Sequence, residues 1–183
     1  EQWLAPREPD PRWEEHEERT RRLKEEREEQ GKANRAAWHA FEKRLAESPD
    51  DEFSEGKVHG TCWNLWKAMR NSDRSGESGW DRQFIEQHFG PAIADRLRTA
   101  MMREWRKTSP PLNIARADDE RNTVQLNWRF ALAGVYAEAE DEDWAAKLSS
   151  KEAEQAARIA THKLNGLPRW LGDLAAALAG VAR

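Results

Sequence analysis

The chain has 183 residues, enough for one domain with an extended arm, and 35% of these residues are charged. With 34 acidic and 30 basic residues, the net charge of −4 favours neither nucleic acid nor an anionic membrane as a partner. The mean hydropathy of −1.03, the lack of a recognisable signal peptide and the single cysteine exclude a membrane span and a disulfide framework, so we expect a cytoplasmic protein.

Residues 11–47 consist of strong helix formers with a single interruption at Gly31. Their first half carries many Glu and Arg pairs four residues apart and few apolar side chains, which is typical of a solvated helix. After Gly31, apolar side chains recur at helical spacing at Trp38, Phe41 and Leu45. We therefore expect a long charged helix whose later part docks on the rest of the chain.

Composition changes after this helix, and the change sets the predicted domains. Residues 1–50 form a charged helical arm, and residues 51–183 form an α-helical domain. Since the sequence begins with Glu1 rather than with Met, we expect it to be a fragment of a longer protein. Ten tryptophans accompany five phenylalanines and one tyrosine, and rings of this size can hold together thin helical layers.

Polar breaks alternate with short amphipathic segments in the first half of the helical domain. The break at 71–79 is rich in Ser and Gly and is predicted to be a loop. Gly90 is predicted to end one helix and Pro91 to begin the next, because a first-turn proline gives up no hydrogen bond. Two apolar stripes mark the buried faces, first Cys62, Leu65, Trp66 and Met69, and then Ile93, Leu97, Met101 and Trp105.

Residues 122–136 fit two patterns. Apolar side chains at Val124, Leu126 and Trp128 begin an alternation that is typical of a strand, while the spacing from Trp128 to Leu132 also fits a helix. We predict a helix, because Ala-rich sequence follows and no second strand is available for pairing. This helix has two apolar faces and is expected to lie between neighbours.

The last part of the sequence predicts two further helices. Ser149 and Glu152 have the spacing of a capping box at the start of the first. Gly166 is predicted to end that helix in a left-handed conformation, and Pro168 to begin the second. This joint repeats the one at residues 90–91. The sequence therefore predicts an all-α fold of irregular stacked helical hairpins, preceded by a long charged N-terminal helix.

No pattern in the sequence assembles a catalytic, cofactor-binding or metal-binding site, and no such residue is assigned. The glycine and lysine motif of phosphate-binding loops is lacking. His59 and Cys62 have the spacing of two metal ligands, but a structural site needs four, so Cys62 is predicted to be a buried core residue. The acidic run at 138–143 does not fit a calcium loop, and we predict solvated carboxylates with Asp141 or Asp143 capping a short helix.

Five residues are candidates for contact with a partner. Arg96, Arg103 and Arg106, together with Lys107 and Trp105 beside them, form a basic and aromatic cluster of the kind that contacts nucleic acid. Helical spacing buries that tryptophan, however, and favours an ordinary outer face for the arginines. Trp3 and Trp13 lie in or beside a Pro-rich start with few apolar neighbours, where an exposed ring would meet the parent chain or another subunit.

Four runs of the sequence resemble the helical-repeat region of large bacterial NACHT or STAND-type NTPases: SGWDRQFIEQHFGPAIADRLR, MREWRK, ERNTVQLNWRFALAGVYAEAEDEDWAAKLS and KLNGLPRWL. Proteins of that family are linked to conflict and antiviral defence. The similarity spans roughly residues 59–174 and consists of helical packing motifs. It implies a sensor or scaffold segment of a multidomain protein. Since no Walker motif is present, no nucleotide-binding residue is carried over.

These observations predict a non-enzymatic scaffold, sensor or protein-interaction segment whose partner is another protein or other domains of the parent chain. Two alternatives stay open. One is a nucleic-acid-associated helical domain, and the other is an oligomerisation element in which the 11–47 helix pairs with its copy. Neither a membrane partner nor a cofactor is expected, and the sequence leaves the oligomeric state open.

Overall fold

The computed structural model describes residues 11–72, 76, 78–163 and 166–181. Within these ranges every regular element is a helix and no strand is present, which confirms the predicted all-α fold. The chain divides into two units, Glu1–Ser48 and Pro49–Arg183, and we refer to them as unit 1 and unit 2.

Unit 1 contains one long helix, α1 (Pro11–Glu47), over the range that the sequence predicts. Charged side chains three or four residues apart pair along its surface, as in Lys32 with Glu29, whose charged atoms lie 2.7 Å apart. Each residue between 15 and 30 is exposed. Exposed pairs of this kind contribute little individually, so the helix depends on the propensity of its residues as well.

Unit 2 contains seven α-helices and two short 3-10 turns in its described residues. None of the described helices combines the length and the apolar content that a bilayer span requires. In chain order the elements are α2 (Pro49–Glu52), α3 (Val58–Met69), α4 (Arg82–Phe89), α5 (Pro91–Trp105), a 3-10 turn (Asn113–Ala115), α6 (Leu126–Glu138), a second 3-10 turn (Trp144–Lys147), α7 (Ser150–Ala160) and α8 (Leu171–Val181).

Helix α6 lies at the centre of unit 2 and packs against α3, α5 and α7. The ambiguous segment is thus helical from Leu126 onward and buried on two faces, as predicted, whereas residues 122–125 precede the helix. Its closest approach is to α5 at Gly134, where a Cβ atom would lie 2.7 Å from the carbonyl oxygen of Met101 and 2.8 Å from the Cβ of Trp105. Glycine is required here because any side chain would push the two helices apart.

The two predicted apolar stripes are confirmed, since each of their residues is buried. On the other side of α6, Trp144 and Trp170 meet edge to face with ring centroids 5.5 Å apart. Such an arrangement matches the preferred geometry of aromatic pairs. These two rings belong to a hydrophobic cluster whose large members are Trp105, Val135, Trp144, Ile159, Trp170 and Leu174.

The joint between α4 and α5 follows the prediction. Gly90 has a φ of +84° and separates the two helices, and Pro91 is the first residue of α5. Helices α4 and α5 pack against each other as a hairpin. The predicted capping box of α7 is also confirmed by the reciprocal hydrogen bonds between Ser149 and Glu152.

The joint between α7 and α8 differs from the prediction. Helix α7 ends at Ala160 rather than beside Gly166, although Gly166 does have the expected positive φ of +84°. Just beyond the helix end, Nε2 of His162 lies 2.7 Å from the carbonyl oxygen of Pro111, a tertiary contact that helical spacing does not reveal. Helix α8 likewise begins at Leu171, beyond the proline that was expected to start it.

Candidate functional site

An open cleft of about 700 Å³ lies between α5 and residues 50–58 of unit 2. Phe53, Val58 and Ala100 supply its apolar lining. Charged side chains of both signs supply most of the rest, namely Asp50, Glu55, Asp95, Arg96, Arg103, Glu104 and Lys107.

The deepest charged group of this cleft is Glu104, whose side chain is only 2% exposed. Nδ1 of His59 lies 2.7 Å from its Oε2, and Nζ of Lys107 donates to its Oε1 at 2.5 Å. The side chains of His59 and Lys107 are 65% and 64% exposed. We call these three residues the Glu104 site. It is a buried carboxylate held by two groups that reach in from the surface.

The Glu104 carboxylate is charged at neutral pH. Burial alone would raise its pKa, because water is removed from the charged form. Hydrogen bonds from Lys107 and then His59 outweigh this effect, and the pKa of Glu104 lies below its usual range. The negative charge of the site therefore depends on its two partners.

Aromatic rings hold the imidazole of His59 in place at the start of α3. Its ring is within 23° of parallel to that of Trp63, with centroids 6.3 Å apart. Phe130 of α6 meets it edge to face at 5.5 Å. The histidine thus has one ring nitrogen directed at Glu104 and its faces against α3 and α6.

The three arginines proposed from the sequence do not form one patch. Arg96 pairs with Asp50 across the cleft. Arg103 is exposed and lines the cleft, and it forms no ion pair with any of the described residues. Arg106 is only 28% exposed and pairs with carboxylates of neighbouring helices. Two of the three positive charges are thus neutralised within unit 2.

Arg106 belongs to a second buried charged group, which we call the Glu138 cluster. Its terminal nitrogens donate to both oxygens of Glu138 at 2.6 and 2.7 Å, and its Nε donates to Glu152 at 2.5 Å. Nε1 of Trp105 donates to Glu138 at 2.6 Å. Because Glu138 is buried and all of these donors come from packed helices, the cluster joins α5, α6 and α7.

Glu152 also shows how strongly this cluster fixes charge. Hydrogen bonds from Ser149 and then Arg106 lower the pKa of Glu152 to about 2. Its carboxylate therefore stays ionised over the whole physiological range.

The acidic run at 138–143 differs from the prediction at both ends. Glu138 is buried rather than solvated. Asp143 does precede a short 3-10 turn, but its side chain makes no capping hydrogen bond and pairs instead with Lys147 at 2.6 Å. The sequence pattern did not reveal the burial of Glu138, because its partner Arg106 lies on another part of the chain.

The remaining candidates stay apart from the cleft chemistry. Cys62 is fully buried, and burial raises the pKa of its thiol to about 12, so it is protonated and unreactive. No group of three or more His, Cys, Asp or Glu side chains within the described residues is placed to hold a metal ion. Trp13 is 66% exposed on α1, and Trp3 lies outside the described residues.

Sequence reasoning did not identify the Glu104 site. It considered His59 only as a possible metal ligand beside Cys62. One signal was available, since Glu104 lies between Met101 and Trp105, on the stripe that faces the core. A charged residue in such a position needs a compensating partner, and the partner is distant in sequence.

Comparison with known proteins does not identify the cleft, which is therefore interpreted from its own residues. No family model matches the chain, and no curated protein or solved structure matches it.

Proposed function

We propose that unit 2 is a non-enzymatic protein-interaction module, a scaffold or sensor segment of a larger cytoplasmic protein, and that a partner binds in the cleft. One observation carries this proposal: the buried carboxylate of Glu104 is held by side chains that are about two-thirds exposed. Exposed partners suit a surface that exchanges contacts with another molecule.

The resemblance to NACHT or STAND-type NTPases supports a place for this module in a large bacterial defence protein. In that setting nucleotide hydrolysis would occur in another domain. The partner of the cleft would then be another domain of the parent chain or a second protein. The proposal for the cleft does not depend on this placement.

The charges of unit 2 do not favour the nucleic-acid alternative. Binding to a phosphate backbone needs several uncommitted cations, because affinity comes from the release of counterions. Arg96 and Arg106 are paired with carboxylates, which leaves Arg103 among the three candidates. We expect no salt-dependent binding to DNA or RNA in the micromolar range.

An oligomerisation role for α1 is a second candidate, and the exposed ring of Trp13 favours it. Light scattering of the full chain and of Trp13→Ala would test this role. A mass that falls from dimer to monomer in the variant supports self-association, and an unchanged mass argues against it.

Site-specific photo-crosslinking tests the interaction proposal. A photoreactive residue is placed at Arg103 in the cleft and, as a matched control, at the exposed Lys151 on α7. We expect one dominant protein adduct from position 103 that is absent from position 151 and that rebinds the purified chain. Equal adducts from both positions, or none from position 103, would contradict the proposal.

Turnover assays test the non-enzymatic part. The purified chain is expected to be inactive with nucleotides and with divalent metals added. Reproducible turnover that disappears when Glu104 or His59 is replaced would mean that the cleft is an active site.

A further inference from the structure

We infer that the cleft binds a Lys or Arg side chain of its protein partner, and that this side chain exchanges with Lys107 on the Glu104 carboxylate. The inference rests on the proposed function, since it names the chemistry of the partner that the cleft receives.

The shape and lining of the cleft fit a long basic side chain. Such a side chain has an apolar stem and a charged end. Phe53, Val58 and Ala100 provide apolar contacts for the stem. Glu104 provides a carboxylate for the charged end, and a guanidinium can donate two hydrogen bonds to a carboxylate at once.

Lys107 can leave Glu104 when another cation takes its place. Its side chain is 64% exposed, so its ammonium group regains hydration while the incoming cation compensates the buried carboxylate. The Glu138 cluster lacks this freedom, because Arg106 is 28% exposed and also bonded to Glu152. Of these two buried carboxylates, Glu104 is the one whose partner can be replaced from outside.

The charge balance of the cleft favours a cation. Asp50 is paired with Arg96, and Asp95 is paired with Arg82 from outside the cleft lining. The lining charges that remain are Glu55 and Glu104 against Arg103 and Lys107, so one negative charge is left over when Lys107 moves into solvent. An incoming anion would instead meet the Glu104 carboxylate at the deepest point of the cleft. The repulsion between the two negative charges would be strong there, because Glu104 is buried and poorly screened by water.

A variant of Lys107 distinguishes a cationic from an anionic ligand. Lys107 competes with a cationic ligand for Glu104, but it would attract an anionic one. The probes are two acetylated and amidated pentapeptides, Gly-Gly-Arg-Gly-Gly and Gly-Gly-Glu-Gly-Gly. Each is titrated into the full chain and followed by ¹⁵N NMR. The variants are Lys107→Ala, Glu104→Gln and, as a control outside the cleft, Lys151→Ala.

We expect the Arg peptide to bind and the Glu peptide not to. Lys107→Ala should tighten binding of the Arg peptide by about fivefold, because it removes an exposed competitor worth up to about 1 kcal/mol. Glu104→Gln should weaken it by about tenfold or more, because the charged acceptor is lost. Lys151→Ala should leave the affinity unchanged.

Three results would overturn the inference: binding of the Glu peptide in preference, weaker binding of the Arg peptide to Lys107→Ala, or no binding of either peptide. Lys107→Ala alters an exposed side chain and leaves His59 on the Glu104 carboxylate, so it decides the matter even if Glu104→Gln fails to fold. A specific adduct from position 103 combined with any of these results would leave the proposed function standing and remove only the basic partner.

Discussion

The Glu138 cluster and the Glu104 site each bury a carboxylate, on helices that pack against each other, but different kinds of groups hold the two. In the Glu138 cluster the donors come from packed helices, and the guanidinium of Arg106 is 28% exposed. In the Glu104 site both partners are about two-thirds exposed. We call the Glu138 pair sealed, because its basic partner is mostly buried, and the Glu104 pair open, because its basic partners are mostly exposed.

This difference in exposure determines how much each pair contributes to the free energy of unfolding. When a sealed pair loses one member, the other stays in the core without compensation, which is strongly destabilising. When the buried member of an open pair is replaced, its exposed partners remain hydrated. We therefore expect the Glu138 cluster to stabilise the fold and the Glu104 site to be exchangeable. The variants at Glu138 and Glu104 test that distinction, and those at Gly134 and His162 test the surrounding helix packing and a buried group outside both sites.

The largest effect is expected for Glu138→Gln. It leaves the guanidinium of Arg106 without its main counter-charge, and the free energy of unfolding should fall by about 3 kcal/mol. Urea denaturation measures this change. Glu142→Gln is the control, because Glu142 is exposed and has no ion pair among the described residues, and it should change stability by less than about 0.5 kcal/mol. Equal losses in the two variants would mean that the Glu138 cluster is not sealed.

Gly134→Ala should be next in size. The new methyl group would overlap the Met101 carbonyl and separate α5 from α6, the two helices that carry Trp105 and Glu138. We expect a loss of about 2 kcal/mol in thermal or urea unfolding. Gly60→Ala in α3 is the control, because no atom lies within 4 Å of its Cβ position. That control should be neutral or stabilising, and the opposite ranking would contradict the close packing.

Glu104→Gln should have a smaller effect than Glu138→Gln, although both positions are buried. Lys107 can turn to water and most of the His59 side chain is already exposed, so the expected loss is about 1 kcal/mol in the same urea experiment. Losses of similar size at positions 104 and 138 would show that exposure of the partners does not matter.

The smallest effect concerns a buried group outside both sites, His162. Burial lowers the pKa of His162 below its usual 6.5, and the positive charge of Arg116 adds to this. The unfolded chain takes up the proton near pH 6.5 and the folded chain resists it, so the free energy of unfolding should fall as the pH drops below about 6.5.

Replacement of His162 by Gln should remove this slope between pH 7 and 5.5 in equilibrium urea unfolding. The lowered pKa values of Glu104 and Glu152 affect stability only nearer pH 4.5, where the unfolded side chains take up protons. A slope that persists in the variant would assign the effect to another group.

Much of the fold could be predicted from the sequence, because helices are encoded locally. The stripe from Ile93 to Trp105 and the pair of Ser149 and Glu152 gave helices and a helix start in the right places. The choice of helix for residues 126–138 depended on composition, and it was correct because no partner strand exists in the described residues.

The candidate site could not be predicted in the same way. Glu104 meets His59 across 45 positions of sequence, and Arg106 meets Glu138 across 32. Spacing along one helix does not reveal such pairs. The end of α7 was missed for the same reason, since the contact of His162 with Pro111 is a tertiary one.

The two carboxylate oxygens of Glu152 couple the start of α7 to the end of α5. Its Oε2 accepts from the backbone N–H of Ser149 at 2.8 Å, while its Oε1 accepts from Arg106 at 2.5 Å. The local start of α7 and its docking onto α5 therefore use one side chain. Because one carboxylate links the two, we expect the first turn of α7 to open together with the end of α5, and its amide hydrogens to exchange with solvent as one group.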